Sequence, residues 1–343
     1  MALRGFGSDN HSGIHPDILS EMLSANHGHE PSYGTDSFSE TAIEIFRNFF
    51  GPKADVYFVY NGTAANVLCL RAGLKRHESC LVTDQSHLNM DECAAPEFFA
   101  GKLIPATSIN GKFQLEQLQS YLIRKGDQHV SPIKMISLTQ PTELGTCYTI
   151  EEIRKITEWA HQNNIYVHID GARLTNALHF LKTTYQKMLV ETGADIISLG
   201  GTKNGLGFGE AVVILNPELK KDFKFIRKQS AQLPSKTRFI SSQFMGYFKN
   251  DLYLKIAEHS HQLALKLAHD LKTIPEVQIT QPVESNSVFA IIPKAWIGPL
   301  RKKYFFYVWN EATFECRLML SWDSTPQDVA GFIEAIQEIK LNS

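Results

Sequence analysis

Short apolar runs alternate with amphipathic stretches along most of the chain, and that rhythm predicts an α/β architecture with a largely parallel sheet. Val- and Ile-rich runs at 56–60, 80–83, 133–139, 165–169, 195–199 and 211–215 have the length of buried strands. Leu103 and Ile104 begin another, which Pro105 is expected to end. Helices are expected between them: 16–25 with Pro16 in its first turn, 37–50 with an Ala42, Phe46, Phe49 face, 64–72, 114–124, and 149–163 behind a capping-box pattern. After Leu215 the pattern changes to a basic helical stretch at 217–232 and a long helical one at 241–272, bent near Asn250 and Asp251. Strands at 277–280, 287–292, 304–308 and 316–321 and a closing helix at 325–340 then give an α+β text. The expected division is a large α/β domain at 16–245 and a small α+β domain at 246–343, joined by the N-terminal segment 1–15.

Composition narrows the partners. With 343 residues, 43% hydrophobic and 20% charged, the chain can bury a large core, and its net charge of −2 offers nothing to nucleic acid or an anionic membrane. No run is long and apolar enough for a membrane span, and the first residues lack the apolar core of a secretory signal. Five scattered cysteines without a CxxC fit reduced thiols in a cytoplasm. The 13 histidines include HSGIH and NHGH, but neither has a second half at ligand spacing, so no metal site is expected.

The chemistry concentrates where expected strands end. Five of the ten residues at 200–209 are glycine, and Lys203 stands among them between two buried strands. A lone amine at a strand end, facing a glycine-lined space, suits an imine-forming lysine, because desolvation favours the neutral nucleophile. A P-loop is excluded by Asn204 after the lysine and by the glycine spacing. Three other strand ends carry Gly62 and Thr63, His87, and Asp170. A helix N-terminus that receives phosphate, an aromatic stacking group, an acid and an amine are together the equipment for pyridoxal 5′-phosphate. Each has a plainer reading alone, as N-cap, structural hydrogen-bonder, salt-bridge partner or loop lysine.

The segments FGSDNHSGIHP, NHGHEPSYGTD, NGTAAN, HIDGAR, GGTKNG and RLMLSWDS resemble the low-specificity L-threonine aldolases, in the branch with GGTKNG around its lysine. That resemblance covers essentially the whole chain. It implies the pyridoxal-phosphate fold type I: a mostly parallel seven-stranded sheet flanked by helices, with a smaller C-terminal domain. It implies Lys203 as the imine lysine, Asp170 at the pyridine nitrogen, His87 over the ring, and Gly62 and Thr63 at the phosphate. Arg173 is implied near the cofactor and, with Ser8 and Arg317, at the substrate α-carboxylate. Tyr33 is implied near the substrate, and His129 near its β-hydroxyl, across a subunit contact. His87 and His129 are both candidate bases. The resemblance also implies a cytoplasmic homotetramer with sites at a dimer interface. Lys228 and Arg238 fall where LPSKTR departs from the pattern of the sister branch, and their roles stay open. The implied reaction is retro-aldol cleavage of L-threonine or L-allo-threonine to glycine and an aldehyde. The alternatives are a β-eliminating lyase on another amino acid, which would release pyruvate and ammonia, and a non-catalytic cofactor or amino-acid binding protein.

Overall fold

The computed structural model describes residues 5–342, so the N-terminal segment is seen from Gly5 onward. Seven strands form the main sheet: β1 (Asp55–Val59), β2 (Ser79–Thr83), β3 (Lys102–Ala106), β4 (Ile133–Thr139), β5 (Tyr166–Gly171), β6 (Ile196–Leu199) and β7 (Glu210–Ile214), in the order β1-β7-β6-β5-β4-β2-β3. Pairs β3/β2, β2/β4, β4/β5 and β5/β6 are parallel, and only β7 runs against the rest. Successive residues of one strand enter opposite cores. Ile197 and Val213 pack with Phe46 and Phe244 on one face, whereas Ile196 and Val212 pack with Leu68 and Val82 on the other. Helices thus cover both faces, which is why the strands read as unbroken apolar runs.

The second sheet is antiparallel, with β8 (Gln278–Ile279), β9 (Ser287–Ile291), β10 (Tyr307–Asn310) and β11 (Glu315–Met319) in the order β10-β11-β9-β8. Its core, around Val288, Leu318 and Phe332, includes Phe6. The Phe6 amide donates to the Phe305 carbonyl, and the Met319 amide donates to the Phe6 carbonyl, at 2.7 and 2.8 Å. The N-terminal segment is thereby stitched to the small sheet, and Ser8 and Asp9 follow directly into the cleft beside the large one. Both cores share the helix Leu252–Leu271, which gives Ile256 to the first and Leu263 to the second. The boundary expected after residue 245 falls inside the helix Arg238–Phe248, whose buried residues belong to the first core.

Other differences have local causes. Pro105 does not end β3, because β3 is an edge strand with no further neighbour to receive its amide. The helix expected at 114–124 is one α-turn, Leu115–Leu118, continued as 3₁₀ over Gln119–Leu122. The basic stretch at 217–232 is helical only over Phe223–Gln229. Helix Lys294–Lys303 was not expected, since Gly298 and Pro299 lie inside it and read as breakers. The long helical stretch does bend at Asn250 and Asp251, both left-handed, with φ of 53° and 55°. Among the described residues no helix is long and apolar enough to cross a membrane.

The turn after β6 needs its glycines. A Cβ on Gly200 would strike the Ala172 carbonyl, and Gly209 has a φ of +111° that side chains other than hydrogen disfavour. Replacing Gly200 by alanine must therefore push the Lys203 turn away from β5. The variant Gly200→Ala is expected to lose about 1–3 kcal/mol of stability. Chemical denaturation measures that loss, and a wild-type midpoint would contradict the close approach.

Candidate active site

A cavity of about 810 Å³ opens at the carboxyl ends of β2, β4, β5 and β6, bounded on the far side by β10 and β11. Ser8, Gly62, Thr63, His87, Asp170, Arg173, Lys203 and Arg317 all line it. These eight residues come from six segments: parallel strands deliver Gly62 and Thr63, His87, Asp170 and Arg173, and Lys203 to one edge, and the N-terminal segment and β11 bring Ser8 and Arg317 across from it. The size is that of a small-molecule pocket.

Lys203 lies in a 3₁₀ turn, Thr202–Asn204, immediately beyond β6. The turn is anchored to β5: the Gly200 amide donates to the Gly171 carbonyl at 3.0 Å, and Asn204 Nδ2 donates to the Ala172 carbonyl at 3.1 Å. Burial pushes the Lys203 amine below its ordinary value, and the Arg173 charge pushes the same way, against Asp9 and Asp170. Both effects shift the balance toward the neutral, nucleophilic form. Glu210 supports the turn from the start of β7, accepting from the Gly201 amide, and burial pushes its carboxyl up to about 7.

Asp170, 3% exposed, ends β5. Its Oδ2 accepts from Asn66 Nδ2 at 2.9 Å and its Oδ1 from the Ala172 amide at 3.1 Å, so both oxygens of the carboxylate are held. Asn66 sits in the helix Gly62–Gly73 and also donates to Glu92 Oε1 at 2.8 Å, while its Oδ1 accepts from Ser198 Oγ at 2.6 Å. Glu92 Oε1 in turn meets His87 Nδ1 at 2.8 Å. With a carboxylate on Nδ1, that nitrogen carries the proton and Nε2 is left as the acceptor. The Glu92 hydrogen bond raises the His87 pKa, against the effect of burial.

At the start of the helix Gly62–Gly73, Asn61 caps the Ala64 amide at 2.9 Å, so the amides of Gly62 and Thr63 belong to a first turn without intrahelical partners. A Cβ placed on Gly62 would meet no atom within 4 Å, so the space above this helix end is open. Free amides, an aligned dipole and open space together suit a phosphate.

The two arginines differ. Arg173 is held bidentately by Asp9, at 2.5 and 3.0 Å, and Asp9 also accepts from Asn286 Nδ2 at 3.2 Å. Burial opposes the Asp9 charge, but Arg173 more than offsets it and holds the carboxyl below its ordinary value. Arg317 has no carboxylate, and its single hydrogen bond among the described residues is from Nη2 to the Gly7 carbonyl at 3.5 Å.

His129 and Tyr33 do not line this cavity. His129 is exposed in the loop before β4, at the amino edge of the sheet opposite the site, with its amide on Asp127 Oδ1. Tyr33, 49% exposed, lies beside Lys228, whose Nζ is 5.2 Å from the ring centroid, and its amide donates to the Ser235 carbonyl. Arg238 Nη1 reaches the His27 carbonyl at 3.4 Å. Within one chain, then, none of these four enters the site.

Sequence reasoning missed Asp9, Asn66, Glu92, Glu143, Ser198 and Glu210 as parts of the site. Glu143 accepts the His87 amide at 2.7 Å and the Thr139 hydroxyl at 2.8 Å, and burial pushes it up to about 7. Two signals were available: Asn66 is polar inside the apolar helical run AANVLCL, and Glu210 is a charge at the head of the apolar strand EAVVI. No group of three or more His, Cys, Asp or Glu among the described residues is arranged to hold a metal.

Known proteins resemble this chain over nearly its whole length. The profile of the beta-eliminating lyase family matches residues 5–295. A curated low specificity L-threonine aldolase of Pseudomonas aeruginosa is 35% identical over 338 residues, covering 98% of this chain and 97% of that protein. One from Pseudomonas sp. is 36% identical over 321 residues, covering 93% of each. Among solved structures, a Leishmania major threonine aldolase superposes with a TM-score of 0.93 at 28% identity, covering 98% of this chain and 99% of that one.

Asp9 gives a direct test of the electrostatics. Asp9→Asn leaves Arg173 buried without its counter-charge, and about 3 kcal/mol of stability should be lost at neutral pH. Because the folded-state pKa of Asp9 is depressed, its contribution is complete above the ordinary value of 3.8 and disappears as pH falls through the lower folded value. Denaturation curves of wild type and variant should therefore converge below pH 3.8 and separate above it.

Proposed function

The chain belongs to the beta-eliminating lyase family, and on that premise we propose that it is a pyridoxal 5′-phosphate-dependent aldolase, cleaving L-threonine and related β-hydroxy-α-amino acids to glycine and an aldehyde. The observation that carries the reading is the convergence of a desolvated amine, Lys203, with a fixed buried carboxylate, Asp170, in one cavity that also has a free arginine. The residues fit the cofactor: Lys203 would hold it covalently, Asp170 would pair with its ring nitrogen, His87 would lie against the ring, and Gly62 and Thr63 would hold its phosphate. When bound, it supplies an electron sink conjugated to the substrate Cα.

The protein's own groups then decide which bond breaks. Arg317, with Ser8 and the edge of Arg173, would fix the substrate carboxylate and so orient the Cα–Cβ bond for cleavage. His87 Nε2 accepts the β-hydroxyl proton, its ring oriented by Glu92 on the opposite nitrogen. The electron pair of that O–H bond becomes the second bond of the departing carbonyl as Cα–Cβ breaks. The proton lost from the β-hydroxyl is matched by one added at Cα, which Lys203 would deliver after taking it up from His87 or from solvent, so that glycine and the aldehyde leave and no proton is gained or lost overall. With the cofactor bound, the Asp170 carboxylate would lie against its ring nitrogen and favour that nitrogen's protonated form.

A homotetramer with sites at a dimer interface, in the cytoplasm, belongs to the same proposal. Tyr33 and His129 support it, since both are exposed and outside their own chain's cavity. They would act in a neighbouring subunit's site. Co-refolding inactive Lys203→Ala with a His129→Ala variant should restore part of the activity in mixed oligomers. Mixtures no more active than their separate components would count against a shared site.

Product analysis tests the reaction itself: L-threonine should give glycine and acetaldehyde in equal amounts, and Lys203→Ala should give neither. 2-Oxobutanoate and ammonia from L-threonine, or pyruvate and ammonia from a cysteine- or tyrosine-like amino acid, would point instead to β-elimination. The pH profile tests the base. Since Glu92 raises the His87 pKa above 6.5, cleavage should fall off as pH drops through that raised value. Glu92→Gln removes the charge that raises it, so the acid limb should move to lower pH; an unmoved limb would exclude His87 as the base.

A further inference from the structure

Arg317 is half-buried and has no acid. Its Nε is buried without a hydrogen-bond partner, and its Nη2 makes only a long bond to Gly7. Aromatic faces take the place of a carboxylate. The Cζ atom lies 4.7 Å from the ring centroid of Trp309 and 5.9 Å from that of Tyr307.

The sheet explains how this arises. Arg317 on β11 is paired with Tyr307 on β10 and with Phe289 on β9. The β10/β11 ladder then slips: Val308 pairs with Cys316 and Asn310 with Glu315, leaving Trp309 as an extra, unpaired residue. A bulge of this kind bends its strand and re-aims the side chain. Trp309 is propped from behind by Phe289, edge to face at 5.7 Å and 86°, and it lines the same cavity as Arg317.

An aromatic face attracts a guanidinium through its quadrupole but uses none of its N–H donors. A carboxylate in the same place would occupy the fork, as Asp9 does for Arg173. We infer that Trp309 is the positioning residue of the carboxylate grip, its indole face holding the Arg317 guanidinium in plane so that the donors stay free for the substrate α-carboxylate. The inference rests on the proposed function only in taking Arg317 as the carboxylate ligand.

The test compares Trp309→Leu and Trp309→Phe in the cofactor-loaded enzyme, with L-threonine and with L-threoninamide, which keeps the amine and β-hydroxyl but has no carboxylate. Trp309→Leu should raise KM for L-threonine about tenfold with kcat changed far less, and Trp309→Phe should recover most of the loss. KM for L-threoninamide should not move, and Trp309→Leu should have no further effect on L-threonine in an Arg317→Leu background. Equal effects on both substrates, or additivity with Arg317→Leu, would make Trp309 a wall contact and overturn the inference. Calorimetric titration with glycine separates this outcome from failure of the functional reading, because it needs no cleavage. Trp309→Leu should weaken glycine binding about tenfold, and glycine binding as tight as wild type would overturn the role whatever the enzyme cleaves.

Discussion

The parallel pairing of β5 with β6 is the constraint on which the site depends. Asp170 pairs with Ser198 and Gly171 with Leu199, and the Gly200 amide then closes on the Gly171 carbonyl. One register thus fixes both the acid that ends β5 and the turn that carries the amine beyond β6. A slip of one residue would turn Asp170 to the opposite face of the sheet and away from Asn66. The glycine at 200 is the steric consequence of the same closeness, not a sign of looseness.

Around that register the charges are arranged so that each has a different degree of freedom. Asp170 is pinned by Asn66 and a backbone amide, Arg173 is neutralised by Asp9, and His87 is oriented by Glu92. Among the described cations that line the cavity, Lys203 and Arg317 are the two without a bonded acid, and burial lowers the pKa of both, that of Arg317 to about 10. Each costs stability in the free protein and each faces the cavity, so each gains most from a ligand. An aldehyde suits the first and a carboxylate the second, which are the two functional groups that an amino-acid aldolase must join in one pocket.

Much of this was legible because strand ends carry their chemistry in sequence. Lys203, Asp170, His87 and Gly62–Thr63 each follow a recognisable apolar run, and a parallel sheet brings such ends together. Arg317 and Ser8 were reachable only through family resemblance, since neither follows from periodicity. Asn66 and Asp9 were illegible as site residues because their partners are separated by 26 to 277 positions and are met only in the folded chain, and Glu92 stands five residues from His87, a spacing that by itself signals no contact. The bulge that turns Trp309 toward Arg317 is also invisible in sequence, because it is a property of the ladder and not of either strand. His129 and Tyr33 illustrate the converse: a sequence match placed them near a substrate that their own chain's cavity does not bring them to.

The central claim is that Lys203, among 34 lysines and arginines, is the amine made nucleophilic by its surroundings. Borohydride reduction of the cofactor-loaded protein, followed by peptide mass mapping, tests it most directly. The account predicts the reduced phosphopyridoxyl group on the peptide containing Lys203 and on no other; the group on a different lysine, or no stable label at all, would contradict it.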